Sequence, residues 1–366
     1  MKTKFSLSSD DMKKAFKKIG QAVNNNTVLP ILKNVYCRVT SSEVELITSD
    51  LEITISYKIP AAAVEGAPFE ILLPYDYLNK IMSACGTMPV TIDHPSARKA
   101  KFICGTDVFE LNSLDKPDEY PKLPETPKKN TLACDQKFIG ALVNALPTTS
   151  KDELRPSMTR VLVDMKEDHA FVVSTDAHSL FRYKLDIKCE KQQQIQFNKK
   201  MVKAIEGMEN ITVSWTKERV ALQNDIITVW CQMFEDRYPA YEVVIPAYGP
   251  NLEVKKSAVV DAMHKALIPA SDTYQININP KQEVGFINYT SENTDTYQKY
   301  LGKMAADYSG DVEAVSLNAK KLLMMMDQFD GEDIKFAIHN PTKAILITTD
   351  EDPNYLGMIM PLIINS

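Results

Sequence analysis

Three stretches decide the fold: FSLSSDDMKKAFKKIGQAV from Phe5, TLACDQKFIGALVNAL from Thr131 and LEVKKSAVVDAMHKAL from Leu252. Each opens on a short alternating run and passes into apolar residues spaced by three and four, the periods of a strand and then of a helix. With Met12, Phe138 and Val259 as the first apolar helical residue, the copies lie 126 and 121 residues apart. A second trio behaves alike: ILLPYDYLNKIM from Ile71, IQFNKKMVKAIEGM from Ile195 and VSLNAKKLLMMMDQF from Val315, spaced by 124 and 120. Two landmarks with one period, near a third of the 366 residues, predict an internal threefold repeat.

Between the helices run alternating, β-branched stretches such as Val44 to Ile59, Ala170 to Leu185 and Lys343 to Asp350. Each repeat reads as two helices amid many strands. That pattern favours an α+β fold with antiparallel sheets over a βαβ crossover fold. Proline-rich stretches, Tyr120 to Asn130 and Ile245 to Asn251, interrupt any sheet. Three domains are expected, at residues 1–125, 126–248 and 249–366.

Composition excludes several classes. A hydrophobic share of 44% and a charged share of 25% belong to an ordinary globular chain. The first residues, MKTKFSLSSDDMKK, hold no apolar core of signal-peptide length, and no stretch approaches the roughly 20 apolar residues of a membrane span. No membrane partner and a cytoplasmic location are expected. The six cysteines, Cys37, Cys85, Cys104, Cys134, Cys189 and Cys231, form no CxxC pair and read as reduced structural thiols.

The net charge of −6 argues against a nucleic-acid partner until its distribution is considered. In the first helix Ser8 or Ser9 can cap, and Asp10 and Asp11 suit the positive end of the helix dipole. Met12, Ala15, Phe16, Ile19 and Val23 share one face, while Lys13, Lys14, Lys17 and Lys18 gather opposite. Lys199, Lys200 and Lys203 oppose Met201, Val202, Ile205 and Met208; Lys80, Lys320 and Lys321 sit on the matching helices. On one helix such lysines are simply a solvated face. Their recurrence suggests a cationic lining for a polyanion, and the lack of an aromatic platform beside them favours duplex backbone over single strands.

Enzyme chemistry finds no support. Asp176, His178 and the nearby Ser174 or Ser179 supply the letters of a hydrolase triad, but neighbours on one strand cannot take up its geometry. No GxxxxGK[ST], GxGxxG or HExxH occurs, and the acidic run Ile347 to Asn354 lacks the glycine and terminal glutamate of a calcium loop. No catalytic residue, metal or cofactor is expected. A protein-only scaffold and a metabolic enzyme of repeated α+β domains are the rival classes; the first would leave the lysine faces unused, and the second lacks a constellation.

LPILKNV (Leu29 to Val35), SDLEITI (Ser49 to Ile55), DEYPKLP (Asp118 to Pro124), TSKDELRP (Thr149 to Pro156), STDAHSL (Ser174 to Leu180), DRYPAYEVVIP (Asp236 to Pro246) and MIMPLI (Met358 to Ile363) follow one another along the chain. In that order, with the repeat, the sequence resembles the β sliding clamp family of bacterial replicative DNA polymerase. The resemblance implies a DNA clamp fold, in which each domain packs two helices on antiparallel sheets. Two chains would join head to tail around double-stranded DNA, without sequence specificity and without catalysis. Implied partners are the polymerase alpha subunit, the clamp loader, repair and translesion polymerases, and mismatch-repair and ligase-type proteins bearing short linear motifs.

Carried over by position, the partner pocket would comprise Met158, Thr175, Ala177, His178 and Leu180, then Pro239 and Val244, then Ile345, Met358, Ile359, Met360, Pro361 and Leu362. Such methionine-rich aliphatic walls accept many related peptides. The subunit interface would use Phe109 and Leu111 against Leu267 and Ile268, and Lys151 would join the helix lysines in facing DNA. The sequence departs from the family in places. Ser179 and Ile363 stand where arginine is common, Ala177 replaces a usual glycine, and the chain runs three residues past Ile363. Asn24, Asn25 and Asn26 occupy a loop where a basic DNA-touching residue is common; Asn26 keeps hydrogen-bonding capacity without charge.

Overall fold

The computed structural model describes residues 3–96, 98–113, 116–189 and 192–362. Among the described residues six α-helices punctuate the strands: α1 (Ser9–Ile19), α2 (Tyr75–Ala84), α3 (Gln136–Ala145), α4 (Lys199–Ile205), α5 (Lys256–Ala266) and α6 (Ala319–Met326). There are two per repeat, each entered from a strand, as the periodicity predicts. Ser8 is the cap of α1: its Oγ accepts the Asp11 N–H at 3.4 Å. Asn198 and Asn318 cap α4 and α6 in the same manner, through the N–H groups of Lys200 and Lys321. Met12, Ala15, Phe16 and Ile19 are buried. Phe16 stacks on Tyr75 of α2 at 5.3 Å, and the Tyr75 hydroxyl donates to the Phe16 carbonyl at 3.1 Å. The hydroxyl lies where a side chain on Gly20 would have to go, so this helix pair requires glycine there.

The chain forms two compact units, residues 1–139 with 198–234, and residues 140–197 with 235–366. The first holds a five-stranded sheet, from Ala63–Glu65 through Thr3–Leu7, Val90–Ser96 and Lys99–Cys104 to Asp107–Asn112. Its eight-stranded sheet crosses a repeat boundary: Ile53–Pro60 of the first repeat lies antiparallel to Ile227–Gln232 of the second, with Ile55 opposite Val229. The second unit repeats the arrangement. Its nine-stranded sheet joins Ser179–Leu185 to Tyr355–Ile359, with Phe181 opposite Gly357, and a four-stranded sheet ends on Gln298–Ala305.

The middle repeat is therefore shared between the units, which cut across the expected boundaries at 125 and 248. Ladder hydrogen bonds hold each half to a neighbouring repeat, and such long-range pairing leaves no mark in local periodicity. Burial of about 1.5 to 3 kcal/mol per large apolar side chain supplies the main stabilisation. In the second unit that core centres on Tyr355, which stacks on Phe329 at 4.4 Å and lies 5.8 Å from Phe181. The six cysteines form no disulfide with one another. Among the described residues no helix is long and apolar enough to cross a membrane.

Candidate binding surfaces

The lysine faces are thinner than the helical wheel predicts. Lys13 turns its ammonium onto the carbonyls of Cys85 and Gly86, at 2.6 and 2.9 Å, at the C-terminal end of α2. Lys18 donates to the Glu206 carbonyl and to that of Lys203 at 3.5 Å, at the C-terminal end of α4. Both act as C-terminal caps where cations suit the helix dipole. Burial draws the Lys18 ammonium below the usual lysine range, against the opposing pull of Glu206. Lys200 pairs with the nearly buried Asp50, and Lys321 with Asp176. Lys320 lies 4.8 Å above the Tyr274 ring.

Lys14, Lys17, Lys80, Lys151, Lys203 and Lys320 are exposed, and Lys199 is half-buried. Lys14 has only a long 3.9 Å approach to Asp11. The asparagine loop is also ordered by its own polar groups. Asn24 Oδ1 accepts the Asn26 N–H at 2.9 Å, and the Asn25 amide donates to Asp76 at 3.3 Å, which leaves the Asn26 side chain exposed.

The residues expected to wall the partner pocket all belong to the second unit. Leu180 and Met358 face each other across paired strands and share a cluster with Leu162, Val173, Tyr238 and Tyr241. Met360 packs against this cluster. Its N–H donates to the His178 carbonyl at 2.8 Å, and the Leu362 N–H donates to the Ser316 carbonyl at 2.8 Å. Met360, Pro361, Leu362 and Pro239 are half-buried, while Ala177, His178 and Val244 are exposed. Met158, Thr175, Ile345 and Ile359 are buried, so they support the wall from behind. Ile363 lies outside the described residues.

Sequence reasoning missed what holds this surface. Tyr241 donates to Asp164 Oδ2 at 2.8 Å, and Lys166 reaches the same oxygen at 3.0 Å. Burial, followed by the carboxylate beside it, pushes the Tyr241 phenol far above its usual range. This pins the short 3₁₀ turn Tyr241–Val244 that presents Val244. Tyr238 is buried as well, and burial pushes its phenol far above its usual range. Both tyrosines lie within the quoted DRYPAYEVVIP, where a phenol three residues from another was the available signal.

Geometry also removes the triad. Asp176 Oδ1 accepts from the N–H groups of His178 and Ser179, at 3.0 and 2.8 Å, and from the Ser179 hydroxyl at 2.8 Å. Its other oxygen is taken by Lys321. Burial raises the Asp176 carboxyl, but Lys321 and these donors outweigh it and hold it below the usual range. Ser179 is fully buried and cannot meet a substrate. Ala177 has φ +71°, a left-handed conformation that favours glycine. This accounts for the glycine usual at that place, and alanine bears strain there.

Asp107–Asn112 and Gln298–Ala305 are each an end strand of their sheet. On Asp107–Asn112, Val108 is 52% exposed and Phe109 is half-buried against Phe102, but Leu111 is 3% exposed and faces its own core. That edge offers Val108 and Phe109. On Gln298–Ala305, Leu301 is 70% exposed, and in the turn after α5 Ile268 is 82% exposed beside half-buried Leu267. Two wide concavities of about 870 and 950 Å³ are lined by Asn279, Asn288, Lys303 and the exposed Leu301 in one and by Glu209, Gln223 and Asn224 in the other. Neither is lined by a residue of the expected partner pocket.

Residues 3–124 match the N-terminal domain, and residues 243–363 the C-terminal domain, of the DNA polymerase III beta subunit. The beta sliding clamps of Staphylococcus epidermidis and Staphylococcus aureus are 23% and 22% identical to this chain, covering 93% of it and 94% of their own length. Among solved structures, the DNA polymerase III beta subunit of Thermotoga maritima superposes with a TM-score of 0.88 at 18% identity, covering 99% of this chain and 100% of its own. The DNA polymerase sliding clamp of Bacillus subtilis gives 0.86 at 21% identity, with the same coverage.

Proposed function

The chain belongs to the DNA polymerase III beta subunit family, the beta sliding clamps, and from that membership we propose a ring of two copies that encloses duplex DNA and tethers the polymerase. The family is non-catalytic, and its role is processivity. Enclosure blocks dissociation, nonspecific phosphate contacts permit sliding, and tethering raises the local concentration of polymerase at the primer end.

One observation carries the head-to-tail arrangement. The fourth strand of a repeat pairs with the last strand of the next repeat, first as Ile53–Pro60 with Ile227–Gln232 and again as Ser179–Leu185 with Tyr355–Ile359. The corresponding strand of the third repeat, Gln298–Ala305, and the last strand of the first, Asp107–Asn112, are left as sheet ends. One pairing rule, applied once more between chains, joins them. Exposed Leu301 and Ile268 on one side and Val108 on the other suit that contact. Such head-to-tail contacts form a closed ring where the rotation permits, and two arcs of three domains permit it. The three domains, 1–125, 126–248 and 249–366, are part of this reading; the separate family matches at the two ends, with a repeat's length between them, support it.

DNA would meet the helix face through Lys14, Lys17, Lys80, Lys203 and Lys320, with Lys199, Lys151 and Asn26 beside them. Lys13, Lys18, Lys200 and Lys321 would contribute field rather than contacts, since each already holds a protein partner. The pocket around Met360 and Val244 would take apolar linear motifs of the polymerase alpha subunit, the clamp loader and repair proteins, in the cytoplasm. Sedimentation at micromolar concentration tests the assembly: a species of twice the chain mass is expected, and a stable monomer overturns the ring.

A further inference from the structure

Both repeat junctions within the chain are fastened by one kind of ion pair, and we infer that the third junction, between two copies, lacks it. This rests on the ring reading above. Asp50 opens the turn between Glu43–Ser49 and Ile53–Pro60. Its Oδ1 accepts the N–H groups of Glu52 and Ile53, at 3.1 and 2.8 Å, and its Oδ2 takes the ammonium of Lys200 in the first turn of α4. Asp176 opens the matching turn of the second repeat, caps it in the same way, and takes Lys321 from the first turn of α6. The next residue is left-handed in both, Leu51 at φ +74° and Ala177 at φ +71°. Each turn leads into the strand that pairs with the next repeat, so each latch sits at the end of a junction.

In the third repeat the equivalent turn joins Phe286–Asn293 to Gln298–Ala305, and its first residue is Thr294. The capping oxygen there belongs to Asn293, which accepts from Asp295 and Thr296, and the positive φ has moved to Tyr297. The helix that would face this turn across copies is α2, whose first turn is Tyr75, Asp76 and Tyr77. The acceptor carboxylate has become the amide of Asn293, and the lysine has become tyrosine or aspartate. Both halves of the latch are absent. Exposed Tyr77 and Tyr297, with exposed Asp76 and Asp295, stand there instead.

The consequence is topological. A closed ring admits a closed DNA circle only by parting where the chain is not continuous, which is the junction between copies. Leaving that junction without its ion pair lowers what must be broken when it parts.

The test installs the missing latch. Asp76→Lys and Asn293→Asp are made singly and together, with Tyr77→Lys as the alternative lysine position, since Lys200 and Lys321 sit one position apart in their helices. Dimer dissociation constants are measured by sedimentation of dilute labelled protein at low and high salt, with thermal melting to confirm folding. At low salt the double variant is expected to tighten the dimer by about fivefold beyond the product of the single effects, and the gain should vanish at high salt. No coupling with either lysine position overturns the inference while leaving the ring intact. A wild-type chain that stays monomeric overturns the ring reading, and this inference with it.

Discussion

Protein carrying Met360→Asp and Leu362→Ser is expected to sediment as a dimer and to remain on circular DNA, yet to lose polymerase binding by a factor of about 10² or more. Both side chains are half-buried at the end of the chain, and Met360 packs on the cluster that holds Leu180 and Met358. Each apolar anchor is worth roughly 1.5 to 3 kcal/mol, so removing two costs about two to four decades of affinity. Their backbone N–H groups bond to the carbonyls of His178 and Ser316, which ties the segment down independently of the side chains, so the fold should survive. Surface plasmon resonance with the replicative polymerase alpha subunit reads the loss. Val284→Ser, at a fully exposed site in the same unit, should leave binding unchanged. Undiminished binding by the double variant would remove the pocket from the account.

The second large effect lies at the free edge. Ile268→Asp with Leu301→Asp places two carboxylates on the surface proposed to meet Val108 and Phe109. Burying an unpaired charge costs several kcal/mol after relaxation, so the dimer dissociation constant should rise by about 10³ or more. Both side chains are exposed in the single chain, and the melting temperature should therefore change little. Sedimentation should show monomer, and retention on DNA should disappear while peptide binding at the Met360 pocket persists. A dimer of unaltered affinity would place the interface elsewhere.

The two effects dissociate for a structural reason. The residues of the proposed pocket all belong to the second unit, whereas the proposed ring needs an edge from each end of the chain. Partner capture and enclosure are thus separable by mutation.

The repeat, the six helices and the apolar faces were legible because each is a local period. Met12, Phe16 and Ile19 are buried as their spacing requires, and the first-turn acids of α1 sit where its dipole favours them. The fates of the lysines were not legible. On a helical wheel Lys13 and Lys18 resemble Lys14 and Lys17, but their acceptors lie 72 and 188 residues away in the chain. Leu111 illustrates the same limit at an edge strand. Alternation shows that one face is inward, while the neighbouring strand decides which, and Leu111 pairs across to buried Ala100. The pocket map came from the family resemblance. What the structure adds is the division of its residues into an accessible rim and a buried support, and the Tyr241 to Asp164 bond that fixes the Val244 turn.

Topology on DNA tests the central claim most directly. Wild-type protein is assembled by a clamp loader onto nicked circular duplex, washed in high salt, and followed before and after one restriction cut elsewhere on the circle. Enclosure predicts retention on the circle at salt concentrations that dissolve phosphate contacts, and loss soon after the cut as the ring slides off the ends. Release governed by salt alone, at the same rate from circle and linear duplex, would contradict it.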